Sequence, residues 1–284
     1  MARQMIVNAD DFGVSPGVSR GIIQAHLEGI VTSASVMVTM PWAAEAIVVA
    51  QSEARKLGLG LHLNLTAGFP ISPPEDVPDL VDSDGRFRRK ADIVLALPMV
   101  DMAQVERELR AQIARFISLV GHPPDHLDSH HHITYLNPAI FSLMLRLAKE
   151  FAVPIRCPFL TDLENVIPWM LSQNGAADRR AVESLILKLR SELTDSGVRA
   201  PDHAIVNFFG DHIALGDLLL ILTSIPEGVS EMMCHPGWTD DELRVSSGYT
   251  DARKMELRAL THPSAREVIE SEGIELITFA DLGG

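Results

Sequence analysis

The sequence predicts an α/β protein built as one (β/α) barrel, irregular or incomplete. Three observations lead there. Short β-branched runs alternate with helical stretches, giving seven or eight strands each followed by a helix, and that order calls for parallel connections. No linker rich in Gly, Ser or Pro divides the chain. Residues 1–284 therefore read as a single domain, although the length alone would suit two. Ionisable residues recur at the carboxyl ends of the apolar runs, the rim where parallel α/β folds place their ligand sites. A doubly wound open sheet is the alternative, because strand count does not prove closure.

The elements follow in order. Residues 5–10 form a buried strand, and Ser15-Pro16 opens a helix reaching about Gly29, with Ser15 as N-cap and Pro16 in the first turn. Residues 32–40 are a second strand. An Ala-rich helix over 42–57 ends at Gly58 as its C-cap. Alternation over 59–65 predicts a third strand. A stretch rich in Pro, Asp and Gly at about 67–90 is too long for an ordinary connection and reads as functional or disordered. The spacing of Val105, Leu109, Ile113 and Phe116 predicts a helix over 102–119. Strands at 126–132 and 154–159 flank a helix at 138–150. One or two helices occupy 162–196, followed by a strand at 203–208 and a helix at 214–224. A strand at 230–235, helical sequence over 251–272 and a last strand at 275–280 complete the chain.

Composition removes several functions. The chain is 46% hydrophobic and 22% charged, which suits a folded protein. Its net charge of −14 repels phosphate backbones and argues against a nucleic-acid partner. Arg86, Arg88, Arg89 and Lys90 form a local basic cluster that reads as a solvated turn. Cys157 and Cys234 are too few for a disulfide framework and too far apart for a thiolate zinc site, so a reducing, cytoplasmic setting fits. No signal core opens the chain and no apolar run approaches the ~20 residues of a membrane span. Phosphate-loop, dinucleotide and nucleophile-elbow motifs are missing.

The polar strand ends carry the chemistry. In Leu127-Asp128-Ser129-His130-His131-His132, strand alternation puts Asp128, His130 and His132 on one face. Imidazoles beside a carboxylate suit a divalent transition metal, which is the favoured reading here over a polar strand end or a hydrogen-bonded histidine cluster. His62 and Asn64 lie on the third strand, where a lone histidine would ordinarily be a core residue. Asp10 and Asp11 repel each other unless a cation or proton is shared, though either could cap the following helix. Both reach one site only if the strand breaks near Asp11. Arg156, on a short apolar strand, reads either as a buried ion-pair partner or as a residue that orients an aspartate, and the two roles are compatible. His235 precedes Pro236-Gly237, which ends its strand in a turn. Trp42, Trp169 and Trp238 could stack on a sugar or fill the core; Trp238, three residues past His235, has the best case. His203 and His212 have no evident partner.

Five segments occur in a fixed order: Asn8-Ala9-Asp10-Asp11-Phe12-Gly13, Gly29-Ile30-Val31-Thr32-Ser33, Gly60-Leu61-His62, His126 to His132, and Met233-Cys234-His235-Pro236-Gly237. Together they resemble the YdjC-like carbohydrate deacetylases, which include chitooligosaccharide and hopanoid-associated enzymes. The resemblance spans residues 8–237, and 160–205 matches none of its motifs. It implies an irregular (β/α) barrel related to polysaccharide deacetylases. It implies one divalent metal, Mg²⁺ or Zn²⁺, on Asp11, His62 and His130, with Asp10 as general base and His235 as general acid. Asp128 and Arg156 would then support these groups, and Asn64 and Trp238 are placed with them as supporting or sugar-contacting residues. A backbone N–H near Gly68 or Phe69 would face the oxyanion.

The function expected is metal-dependent removal of the N-acetyl group from an amino sugar, oligosaccharide or glycoconjugate, releasing acetate. The partner is a neutral sugar, with no membrane span, and a homodimer is the default assembly. Two rivals share parts of the pattern: another metal-dependent barrel enzyme, such as a sugar isomerase or phosphoesterase, and a non-catalytic carbohydrate-binding protein. Keeping both Asp10 and His235 argues against the second.

Overall fold

A computed structural model describes residues 2–157, 166–168, 170–171 and 178–282. Trp169 and the end of the strand expected at 154–159 lie outside these residues. Among the described residues, seven parallel strands form one curled sheet: β1 (Arg3–Phe12), β2 (Ser33–Val36), β3 (Gly58–Leu63), β4 (Leu127–Ser129), β5 (His203–Ile205), β6 (Gly228–Cys234) and β7 (Ile274–Leu276). The order is β4-β3-β2-β1-β6-β5. The ten-residue β1 is long enough to take two neighbours on one side, β7 along Arg3–Met5 and β2 along Asn8–Phe12. Beyond β4, Leu127 bridges Ile155, whose N–H donates to the Arg199 carbonyl at 2.9 Å, close to β5. The two ends of the sheet thus approach each other, as the expected irregular barrel requires.

Helices among the described residues include α1 (Pro16–Leu27), α2 (Ala43–Glu53), α3 (Lys90–Ala96), α4 (Met102–Val120), α5 (Pro138–Glu150), α6 (Arg179–Ser196), α7 (Leu215–Thr223), α8 (Asp241–Ser246), α9 (Asp251–Leu260) and α10 (Pro263–Ser271). Ser15 caps α1 through Val18 N–H, as expected. The predicted stripe of α4 is buried, and Gly121 closes that helix in the left-handed region. The same face buries Glu108 and Gln112. Glu108 accepts from the N–H groups of Ile71 and Ser72, and Gln112 binds the backbone of Asn64. These bonds anchor the 67–90 stretch, which further packs Val77, Leu80 and Phe87 into the core.

Several boundaries differ from the sequence expectation. The second strand stops at Val36. Helix α2 ends at Glu53 with Ala54 as its C-cap, and Gly58 opens β3 instead of capping a helix. The strand expected at 126–132 ends at Ser129, because His131 and His132 take φ of 53° and 58°. Their alternation therefore does not set His130 and His132 on one face. The helical stretch 251–272 splits where Pro263 cannot continue α9. Helices α3 and α8 are short segments that periodicity does not reveal.

Gly60 is required by space. A Cβ there would overlap the His126 ring, which is clamped by Phe279 at 3.8 Å and by Asp125 Oδ1 2.6 Å from its Nδ1. Gly60→Ala should cost about 1–3 kcal/mol, the usual range for overpacking, read as a lower urea midpoint at unchanged slope.

Candidate active site

The site is assembled at the carboxyl end of β1. The β1–β2 register shifts between Ala9 and Phe12, and Asp11 adopts φ of 70°. This is the break that lets adjacent aspartates reach one cleft, and aspartate tolerates the left-handed region better than most residues. Asp10 turns into the barrel and Asp11 toward its mouth.

Arg156 is fully buried at the barrel centre. It grips Asp10 with two bonds of 2.7 Å, approaches Asp128 Oδ2 at 2.9 Å and donates Nε–H to Glu231 Oε1 at 2.7 Å. One guanidinium therefore ties together β1, β4 and β6. Burial alone would raise the Asp10 pKa, but Arg156 and then His62 drive it well below the usual carboxylate range. Asn8 and Ser35 extend the network: Asn8 Nδ2 donates to Asp10 and to Ser35, and Ser35 donates to Asp128.

His62 Nδ1 lies 2.7 Å from Asp128 Oδ1. A carboxylate only accepts, so Nδ1 carries a proton and Nε2 is aimed at the cleft. There Nε2 stands 3.7 Å from Asp11 Oδ1 and 3.9 Å from Asp10 Oδ2. Burial disfavours the imidazolium, yet Asp128 and Asp10 outweigh it and push the pKa up to about 9. His130 Nδ1 is 3.3 Å from Asp11 Oδ1. Its pKa is lowered, chiefly by burial. Ligand atoms of Asp11, His62 and His130 all lie within 4.8 Å of one another, and Asp11 Oδ1 is buried without a hydrogen-bond partner. A second grouping, Asp10, His62 and Asp128, meets the same distance, but both of its carboxylates are already paired with Arg156.

His235 directly follows β6 and holds Nε2 4.0 Å from Asp10 Oδ2. Burial lowers its pKa to about 4, against the pull of Asp10 and Asp11, so it is neutral at pH 7. A cavity of about 380 Å³ is lined by Asp10, Asp11, His62, His130, His235, Phe209, Tyr249 and others. A second cavity, about 1030 Å³, adjoins it at Asp11, His130 and Arg253 and runs out past Met40, Trp42, Gly68 and Phe69.

The profile of the YdjC-like protein family matches residues 4–271. The chain belongs to that family. A carbohydrate deacetylase of Brevibacillus brevis is 38% identical over 282 residues, 99% of this chain and 100% of the relative. A chitooligosaccharide deacetylase of Proteus mirabilis is 34% identical over 285 residues, covering 99% and 100% of the two chains. The crystal structure of an Enterococcus faecalis protein with a suggested role in cellobiose-phosphate cleavage superposes with a TM-score of 0.81 at 33% identity, covering 98% of each chain.

In this YdjC-like chain the structure brings Asp10, Asp11, His62, His130, Asp128, Arg156 and His235 together. Two expected residues are elsewhere. Asn64 shapes the turn after β3, donating to Thr39 and the Ala67 carbonyl and accepting from Thr66 and Ala67 N–H. Trp238 donates its indole N–H to Gln24 on α1 and lines neither cavity. Its three-residue offset from His235 fails because Pro236-Gly237 turns the chain back onto α1, where Trp238 N–H meets the Gly17 carbonyl. Trp42 lines the large cavity instead.

Sequence reasoning missed Arg253, Glu256, Tyr249 and Phe209. Arg253 donates to Asp11 Oδ2 at 2.6 Å, leaving Oδ1 to face the histidines. Glu256 accepts from the His235 N–H and, at 2.5 Å, from the Tyr249 hydroxyl. Burial raises the Glu256 pKa to about 7. A signal existed: Arg253, Glu256, Leu257 and Leu260 share one buried helical stripe, and two charges on such a stripe need partners.

Arg156→Met takes the guanidinium from three buried carboxylates, leaving Asp10 its Asn8 bond, Asp128 its His62 and Ser35 bonds and Glu231 without its cation, and should cost about 3–5 kcal/mol in urea unfolding. In chelator-treated protein, the stabilisation from His62 is complete below pH 6.5 and lost as pH rises through about 9, because the fold holds that proton more tightly than the unfolded chain. The stability difference between wild type and His62→Gln should shrink across that window. Growth with pH would show that the fold does not retain the His62 proton.

Proposed function

We propose that this chain is a divalent-metal-dependent deacetylase that hydrolyses the N-acetyl group of an amino sugar. The observation that carries the reading is the convergence of Asp11, His62 and His130 on one point at the cleft, with Asp11 Oδ1 buried and unsatisfied. Two imidazoles and one carboxylate fit zinc or a related divalent ion, with magnesium as the harder alternative, and leave positions open for water and substrate. The names of the Brevibacillus and Proteus relatives support a sugar substrate and removal of its acetyl group.

A cation bound there supplies Lewis acidity, acidifying water and polarising the acetyl carbonyl. The chain's own residues supply the proton path. Asp10, ionised and oriented by Arg156, accepts the proton of the attacking water. His235 Nε2, 4.0 Å from Asp10 Oδ2, is neutral at rest and so can take up that proton. It then delivers the proton to the amide nitrogen, which leaves as a free amine while acetate departs. Arg253 keeps Asp11 ionised and fixes which oxygen faces the cation.

The test is an acetate-release screen over N-acetylated sugars, with chelator and with added zinc or magnesium, scored beside phosphate release and aldose–ketose conversion. Acetate should appear only with metal. His62→Ala and His130→Ala should lose bound metal and activity together, whereas His235→Ala should keep the metal and lose turnover by at least a hundredfold, the usual span of general acid catalysis being about 10²–10⁴. Full activity in either metal-site variant rejects the site, and loss of metal in His235→Ala makes His235 a ligand. Because metal capture displaces the His62 proton, affinity should rise with pH up to about 9.

A further inference from the structure

An aromatic ring left open to water beside a charged cleft wants an apolar surface to cover it. Phe209 is such a ring, with 45% of its surface exposed at the wall of the smaller cavity. It comes from the loop after β5. Tyr249, from the loop between α8 and α9, stacks on it with centroids 4.5 Å apart and planes 18° from parallel. Both rings meet the His235 imidazole edge-on, at 5.3 and 5.7 Å.

The pair is built to stay in place. The Tyr249 hydroxyl donates to buried Glu256 and accepts from the Gly210 N–H at 3.3 Å, next to Phe209. The Tyr249 carbonyl accepts from Arg253 Nε at 2.9 Å. Its hydroxyl and carbonyl are occupied, its ring is stacked on Phe209 and the Arg253 guanidinium lies over that ring at 5.6 Å, so Tyr249 backs Phe209, which has no polar group at all. A ligand covering the exposed Phe209 face must therefore bring C–H groups, and beside Asp10, Asp11, His62, His130 and His235 it must bring polar groups as well. A pyranose ring combines the two, with an apolar C–H face and equatorial hydroxyls.

We propose that Phe209, backed by Tyr249, forms the stacking platform for the pyranose that carries the acetamido group. This rests on the deacetylase reading, which puts the leaving nitrogen on the His235 side, and it adds the surface that selects a sugar over other acetamides. The larger cavity past Trp42 and Phe69 is then left for the remainder of the substrate.

Calorimetric titration with chitobiose, the deacetylated disaccharide that cannot turn over, tests the platform on the full metal-loaded chain. Phe209→Ala should bind about tenfold more weakly, at an unchanged melting temperature, since stacking is worth up to about that factor. Phe209→Tyr should restore binding. In acetate release, Phe209→Ala should raise KM by a similar factor with kcat nearly unchanged. Equal binding by wild type and Phe209→Ala, or no binding by wild type, overturns the platform. Binding that follows the expected pattern, with no acetate released from any N-acetylated sugar, overturns the deacetylase reading and leaves the platform standing.

Discussion

The structure depends on a guanidinium with no access to water. Arg156 sits at the barrel centre, and its desolvation is offset only because Asp10, Asp128 and Glu231 converge on it from three strands. A lysine could not do this, since a single ammonium lacks the planar fork that grips both Asp10 oxygens while Nε–H turns the other way to Glu231. The same contacts order the cleft. Asp10 is locked in one orientation, and Asp128, held by Arg156 and Ser35, in turn fixes the His62 tautomer. The groups proposed to do chemistry are thus positioned by the network that fills the barrel.

A second support comes from outside the sheet. Helix α9 reaches the cleft with Arg253 on Asp11 and Glu256 on the His235 backbone and Tyr249. Asp11 is therefore pulled from one side by Arg253 and left unsatisfied on the other, which is the asymmetry a ligand oxygen needs. The polar residues cost stability in the isolated fold, because buried Asp11 Oδ1 and His235 Nδ1 lack hydrogen-bond partners. That cost falls at the carboxyl ends of β1 and β6, where a bound cation and substrate would offset it.

Much of the site was legible because its residues lie at strand ends, where short-range pattern and parallel topology agree. Asp10, Asp11, His62, His130 and His235 each follow an apolar run, and the break needed at Asp11 could be stated before its φ was known. Alternation misled at His130-His131-His132, where the chain leaves the strand and takes two left-handed residues. Trp238 misled for a related reason, since nearness in sequence to His235 says nothing once Pro236-Gly237 reverses the chain. Phe209 and Tyr249 carry no motif. Their pairing joins residues 40 apart on different loops, and no local rule reports it.

The sequence by itself determined the alternation of strand and helix, the parallel sheet and the chemical types gathered at its rim, because these follow from periodicity, capping and apolar runs a few residues long. Only the tertiary structure decided which groups satisfy one another: that Arg156 spans three carboxylates, that Arg253 and Glu256 reach in from α9, and that Phe209 stacks on Tyr249. Such pairings are set by packing between distant segments, and the cost of burying a charge or leaving a donor unpaired is known only once every neighbour is in place.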